Sequence, residues 1–177
     1  LKSVVYDNSD YENMDLTDRT FSFTVGSAIP FSGNGHFYEV INVSGGISWA
    51  DAKAAAEAKT LYGMQGYLAT ITSQAENDFI LGKLDTDAWI GANDSAGGEV
   101  WKWVTGPESG QTLNSTYDNW ADEEPNNDSG TNADAAQFYG TNNGLWNDLR
   151  NNTSTKLNYY IVEYGGMSGE TTPVISG

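Results

Sequence analysis

Between Lys102 and Arg150 lie 47 residues without a single Lys, Arg or His, and they carry Glu108, Asp118, Asp122, Glu123, Glu124, Asp128, Asp134 and Asp148. Eight of the sixteen net negative charges therefore fall in about a quarter of the 177 residues. The part from Gly106 to Asp134 has no sustained apolar periodicity, and irregular segments longer than ~12–15 residues inside a compact domain are as a rule functional or disordered. Trp103 at its edge and Trp120 within it argue against disorder. Such a segment must be held by the rest of the fold, because it cannot form internal ion pairs. With no Cys anywhere, it cannot be stapled by disulfides either.

The same stretch interleaves its carboxylates with Asn119, Asn126, Asn127, Asn132, Asn142, Asn143 and Asn147. All of these are oxygen donors. A hard cation such as calcium takes six to eight oxygens from carboxylates, amide carbonyls and water, whereas zinc or copper would want nitrogen or sulfur. Thiolates are absent and His36 is the sole imidazole. A solvated acidic loop is the competing reading at this level, and motif spacing has to decide between the two.

Composition narrows the rest. A chain of 19.1 kDa with 38% hydrophobic residues can build one ordinary core. The charge of -16 and pI near 4.1 exclude nucleic acid as a direct partner. No apolar run approaches the ~18 residues of a membrane span, so direct membrane insertion is not expected. Leu1 follows neither a start methionine nor a signal-like segment, and the chain is expected to be a piece of a longer polypeptide.

Residues 1–33 read as a polar lead-in with one added strand around Phe21, Phe23 and Val25, and residues 165–177, rich in Gly, Ser and Thr, as a linker. Between them, His36 to Val43 reads as a strand closed by a turn at Gly45-Gly46. Ser48 with Asp51 caps a helix whose Trp49, Ala52 and Ala56 share one face and which ends near Gly63. Tyr67 to Ile71 is a short apolar run. Ser73 with Glu76 forms a second capping box, with Phe79, Ile80 and Leu84 on the buried face. Strands are expected at Asp87 to Asn93, Val100 to Thr105, Ala135 to Tyr139 and Tyr159 to Tyr164, with a glycine turn at Gly97-Gly98.

The order of motifs is the most informative feature. Behind the two helices and Leu68-Ala69-Thr70-Ile71 come Trp89-Ile90-Gly91, Trp101-Lys102-Trp103, Asn119-Trp120, Glu124-Pro125-Asn126 and Trp146-Asn147-Asp148. In this order and near this spacing they resemble a C-type lectin domain, over roughly Gly35 to Tyr164. The resemblance implies an α+β, C-type lectin-like fold over residues 34–164, with two helices, small antiparallel sheets and a long calcium-binding loop.

It also implies a site. In the family the principal calcium takes its ligands from the Glu-Pro-Asn and Trp-Asn-Asp motifs, which are Glu124, Asn126, Asn147 and Asp148 here. The family usually has a cis X-Pro bond at this place, which turns the flanking side-chain oxygens toward one point. A vicinal sugar diol then replaces water on the ion while its hydroxyls donate to Glu124 or Asp148 and accept from the amides of Asn126 or Asn147. The Glu-Pro-Asn order goes with mannose, glucose or fucose in the family, and the Gln-Pro-Asp order with galactose.

Departures from the family pattern matter. Its usual further carboxylate falls on Ala133, so Asp134 is expected to substitute, with Asn132 as second choice. An auxiliary calcium has matches at Asp94 and Asp134 but meets Gly98 and Asn127 where carboxylates would help most. The family's disulfide positions hold Ala56 and Val162, and Ala135 and approximately Asn151, which suggests packed contacts in their place. Cysteine-free lectin domains of this sort are similar to those of large repeats-in-toxin (RTX) surface adhesins. The implied partners are thus cell-surface glycans, and the implied setting a monomeric module of an extracellular bacterial adhesin.

Two rivals are weaker. Glu123 and Glu124 could be imagined as an acid–base pair, but adjacent carboxylates in an extended chain point to opposite sides, and glycosidase pairs come from separate segments. Catalysis is not expected. A lectin-like domain that binds protein, peptide or ice is the nearer rival, since fold does not fix function. Trp49, Trp89, Trp101, Trp103 and Trp146 are expected in the core, with Trp120 and Tyr117 undecided.

Overall fold

A computed structural model of the chain describes residues 27–94, 100–113, 117–127, 134–171 and 173. The expected strand at Phe21 to Val25 and the Gly97-Gly98 turn lie outside them. The described elements run β1 (Ile29–Pro30), β2 (Phe37–Ile47), α1 (Trp49–Glu57), β3 (Thr60–Leu61), β4 (Met64–Leu68), α2 (Gln74–Leu81), β5 (Asp87–Asn93), β6 (Lys102–Trp103), β7 (Ala135–Tyr139), β8 (Leu145–Leu149) and β9 (Leu157–Tyr164). Strand order is β1-β2-β9-β5-β7-β8, with β4 also on β9, β3 on β4 and β6 on β5. All the pairings are antiparallel except β5 with β9, so the strands join into one mixed sheet where small antiparallel sheets were expected.

Period-two alternation on the central strands divides the core in two. Ala88, Ile90 and Ala92 of β5 and Ile161 of β9 join a cluster with Ile80, Phe138 and Trp146. Their sequence neighbours Trp89, Tyr160, Val162 and Tyr164 join a second one with Trp49, Ala52 and Ala56. Alternate side chains leave opposite faces of a strand, so α1 covers one face and α2 the other. Each helix starts as its sequence dictates: Ser48 accepts from the Asp51 N–H and Ser73 from the Glu76 N–H, both at 3.2 Å. The Ala56 and Val162 positions are fully buried in the second cluster, and both close on Gly66, where an added Cβ would sit 2.7 Å from the Ala56 carbonyl and 2.9 Å from Val162. Ala135 is buried in the same cluster, while Asn151 is half-buried.

Several local expectations are corrected. Gly45 and Gly46 do not end β2. Their φ angles of 89° and 77° carry the strand through a register shift against β9 between Asn42 and Ile47, a bulge in place of a turn. Helix α1 stops at Glu57, six residues before Gly63, because Thr60–Leu61 pairs with β4. The strand expected at Val100 to Thr105 contracts to Lys102–Trp103. Within the stretch expected as lead-in, Ile29–Pro30 pairs with β2. The first residues of the expected linker are held against the domain, since Glu170 accepts from the Gln65 N–H at 2.8 Å and the Tyr67 hydroxyl donates to Gly165 O at 2.7 Å.

Glu76 departs from the capping-box role. Its Oε2 accepts from the Thr72 N–H at 2.8 Å, and its Oε1 lies 2.5 Å from the Tyr38 hydroxyl, which is also 2.9 Å from Glu163 Oε1. Both glutamates are buried. Tyr38 has one proton for two carboxylates, and its oxygen already accepts from Asn34 Nδ2 at 2.8 Å. The geometry closes when Glu76 is protonated and donates to Tyr38, which then donates to Glu163. Glu163 Oε1 also meets His36 Nδ1 at 2.6 Å, and its Oε2 accepts from the Thr70 N–H at 2.9 Å. Consistently, burial and then the Glu163 charge push the Glu76 carboxyl up to about 7. Burial pulls His36 down, but its bond to Glu163 and the charges of Glu163, Glu108 and Glu76 outweigh this and leave it raised.

Candidate functional site

The long loop is built outward from tryptophans. Its first leg folds back on β6: Gly110 N–H donates to Trp103 O at 2.8 Å, Trp103 N–H to Gln111 O at 3.0 Å and Leu113 N–H to Trp101 O at 3.1 Å. Its second leg runs parallel to β8, where Trp146 N–H donates to Asn119 O at 2.7 Å and Ala121 N–H to Trp146 O at 2.9 Å. Trp146 is fixed in turn by α2, since its Nε1 donates to the buried Asn77 Oδ1 at 3.0 Å. Trp120 seats edge-on between Trp101, with ring centroids 4.7 Å apart, and Trp146, at 6.0 Å. Trp49, Trp89, Trp101, Trp103 and Trp146 are all buried, as expected, and Trp120 and Tyr117 are half-buried.

This anchoring delivers Glu124, Pro125 and Asn126 to the end of β8. Glu124 N–H donates to Ala121 O at 3.0 Å through a turn in which Glu123 takes a φ of 68°. The Glu124-Pro125 bond is cis, as the family resemblance implied. Asp148, 5% exposed, ties the motif down: Oδ1 accepts from the Asn126 N–H and Oδ2 from the Asn127 N–H, each at 3.0 Å. Glu124 closes on the same residue, with Oε2 3.1 Å from the Asn126 nitrogen and Oε1 accepting from Asn126 Nδ2 at 2.9 Å. Asn147 belongs to the adjacent rung of β8. Its Nδ2 donates to Gln137 Oε1 at 3.0 Å, in register across from it on β7.

The structure thus brings Glu124, Asn126 and Asp148 into direct contact and sets Asn147 beside them. Asp134 stands just before β7, its carbonyl accepting from the Asp94 N–H at 3.1 Å, so the two carboxylates considered for an auxiliary ion are also neighbours in space. Asn132, Ala133 and Gly98 lie outside the described residues. Among the described residues, no group of three or more His, Cys, Asp or Glu side chains is gathered closely enough to hold a metal ion. What converges is a pair of carboxylates with two primary amides. Each carboxylate oxygen that accepts one hydrogen bond keeps a further lone pair, so this donor set of oxygens alone suits calcium and is unsuited to zinc or copper.

Gln137 is the residue that sequence reasoning missed. Its signal is that a polar side chain interrupts the apolar run Ala135-Ala136-Gln137-Phe138-Tyr139. At 4% exposure it needs a partner, and the partner is Asn147.

Comparison with known proteins agrees with this arrangement. The family model described as lectin C-type domain matches residues 46–162. Halomucin of Haloquadratum walsbyi is 38% identical over 188 aligned residues that cover 98% of this chain, and the chain spans 2% of halomucin's length. Among solved structures, the carbohydrate-recognition domain of cow CD23, crystallised in the presence of a GlcNAc2Man3 oligosaccharide, is 22% identical and superposes with a TM-score of 0.62, covering 80% of this chain and 95% of that one. A calcium-independent type II antifreeze protein is 18% identical with a TM-score of 0.57, covering 79% and 97%. These two structural likenesses concern the fold. With the family model covering most of residues 34–164 and the motifs in their places, the chain belongs to the C-type lectin domain family, in a form without cysteine.

Proposed function

We propose that this domain binds carbohydrate through calcium, taking the vicinal diol of a mannose, glucose or fucose type sugar. The observation that carries the reading is the closure of Glu124 and Asp148 on Asn126 across the cis Glu124-Pro125 bond. Glu124, Asn126, Asn147 and Asp148 would hold the ion, with Asp134 or Asn132 as a further ligand. Calcium, when bound, supplies coordination positions that two neighbouring hydroxyl oxygens can fill. The chain's own residues read the stereochemistry. Glu124 and Asp148 accept the hydroxyl hydrogens, and the amides of Asn126 and Asn147 donate to the hydroxyl oxygens. Asn147 keeps one amide hydrogen for this after giving the other to Gln137. C-type lectin domains act generally as binding modules, and no catalytic role is assigned to this chain.

The setting follows from the same material. The lectin unit is residues 34–164, flanked by a lead-in at 1–33 and a linker at 165–177, and it serves as a monomeric ligand-binding module of a large RTX-type adhesin at the bacterial surface, facing glycans. The match to a small fraction of halomucin supports a place within a very long protein. No helix among the described residues is long and apolar enough to cross a membrane.

Titration with mannose and fucose, followed by NMR around Asn147 and repeated with chelator, tests the reading. The expected result is calcium-dependent shifts and a Kd on the order of 1 mM, since two hydroxyls and little apolar contact give only ~4 kcal/mol. The pair Glu124→Gln with Asn126→Asp should move preference toward galactose. Absence of any calcium-dependent shift would sink the lectin reading and favour a protein, peptide or ice ligand.

A further inference from the structure

Pro125 has a second face. It walls a depression of about 370 Å3 whose other sides include Val100, Trp101, Thr112, Asp118 and Trp120. This lies at the lower end of the ~300–1,000 Å3 typical of small-ligand sites. We propose that this groove is a second saccharide subsite, holding a neutral sugar unit linked to the one bound at Glu124 and Asn126. The proposal rests on the lectin reading above and extends it from a monosaccharide to an oligosaccharide.

Continuity comes first. The same proline sits between the two diol-reading residues and in the groove wall, so a glycan leaving the first site along this side passes directly onto Trp120 and Val100. The groove's chemistry then favours a sugar over a lipid or an apolar peptide. Val100 is 47% exposed, one of three large hydrophobic side chains that stand open among the described residues. Trp120 is half-buried, and its ring is fixed before any ligand arrives by edge contacts to Trp101 and Trp146. A prefixed ring loses little freedom on binding, and its electron-rich face attracts the polarised C–H face of a pyranose. Against this apolar wall stand the Thr112 hydroxyl and the exposed Asp118 carboxylate, which can accept from sugar hydroxyls. A lipid tail would leave that polar side unmatched.

Charge selects among sugars. Asp118 belongs to the base-free stretch, so a uronate, sialate or sulfate unit placed here would meet Asp118 and Glu124 with no Lys, Arg or His from that stretch to balance it. The subsite is therefore one for neutral units.

The test is calorimetric titration of the whole chain, in calcium, with methyl α-mannoside, a neutral mannotriose and a sialylated glycan carrying a terminal mannose. The neutral trisaccharide should bind about tenfold more tightly than the monosaccharide, and the sialylated glycan no better than the monosaccharide. Val100→Asp, on an exposed position, should erase the trisaccharide's advantage while leaving monosaccharide affinity within about twofold, which also reports that the fold is intact. Asp118→Asn should raise the affinity for the sialylated glycan. Equal binding of mono- and trisaccharide by the unaltered chain, or an advantage that persists in Val100→Asp, overturns the subsite and leaves the calcium site standing. No calcium-dependent binding of any of the three overturns both. Displacement by an apolar aromatic peptide, with no response to the sugars, assigns the groove to a protein ligand and overturns the proposal.

Discussion

The Asn147 side chain illustrates how little of a binding residue's behaviour is its own. A primary amide has four hydrogen-bonding positions and two nearly equivalent orientations, and Gln137 chooses one of them by accepting from Nδ2. Gln137→Leu removes that choice without touching any proposed ligand residue, so calcium-dependent sugar affinity should fall roughly 10-fold or more, as happens when residues that orient metal ligands are lost. Titration of the variant checks it, and an unchanged isotherm would show that β8 alone orients Asn147. A second residue-scale prediction concerns Glu76. A carboxyl whose folded pKa is raised from an unfolded value of ~4.3 to about 7 stabilises the fold fully below the lower value, and the benefit is lost as pH rises through 7. His36, also raised, acts in the same sense as pH climbs past its unfolded value of ~6.5. Chelated protein should therefore lose on the order of 2 kcal/mol between pH 5 and 8, roughly 4–8 °C in melting temperature. Glu76→Gln, which keeps a donor toward Tyr38 and an acceptor toward Thr72 at every pH, should flatten most of that slope. A slope unchanged in the variant would place the titrating group elsewhere.

At the scale of elements, the meeting of β4, β5 and β6 explains a motif glycine. Gly91 N–H donates to Ala69 O at 2.8 Å and its carbonyl accepts from Val104 N–H at 3.0 Å, so backbone closes on it from both sides. A Cβ there would lie 2.2 Å from Thr105 Oγ1 and 2.6 Å from Leu68 O. Gly91→Ala should accordingly cost about 1–3 kcal/mol, the usual penalty for overpacking a filled core, measurable by urea denaturation. A loss under about 0.5 kcal/mol would mean that β4 yields easily. The same scale shows what sequence can disclose. Both helix starts were legible because a Ser side chain and an apolar face mark them independently, and β5 and β7 have the bounds that their apolar runs imply. Strand β8 was not legible as a strand: its inward positions are Trp146 and Asp148, and a buried aspartate that serves the loop's backbone breaks the apolar alternation. The bulge at Gly45-Gly46 was misread because two glycines signal positive φ equally well in a turn or in a bulged strand.

For the molecule as a whole, the loop's contribution to stability is conditional. Its carboxylates repel one another, and only Trp120, Leu113 and a few backbone bonds to β6 and β8 offset the entropy of ordering it. Extracellular modules bind calcium with Kd values of ~0.1–1 mM, and a hundredfold excess over Kd stabilises the bound fold by ~2.7 kcal/mol. Melting temperature should thus fall several degrees on chelation, with new proteolytic cleavage between Gly106 and Asp134, while α1 and α2 stay folded on their own apolar faces. An unchanged melt and no new cleavage would mean that the loop is rigid without metal. The candidate ligands were legible as motifs from the family's order of residues, but their mutual contacts were not, because these depend on Trp146 and Trp120 being seated first.

The pairing of Phe37 with Tyr164 at one end of the β2–β9 ladder has a mechanical consequence. The chain enters the antiparallel pair and leaves it at neighbouring points, an arrangement that lets a domain hang from a longer polypeptide as a side branch. Tension applied through the two flanks would pull these strands apart from that end, breaking the ladder's bonds one after another like a zipper. A pair loaded in shear would have to break them together. Tethered at both flanks in a surface filament, the domain would give way by peeling from Phe37 inward. The Gln65–Glu170 and Tyr67–Gly165 bonds that fasten the outgoing chain would be among the first to bear the pull.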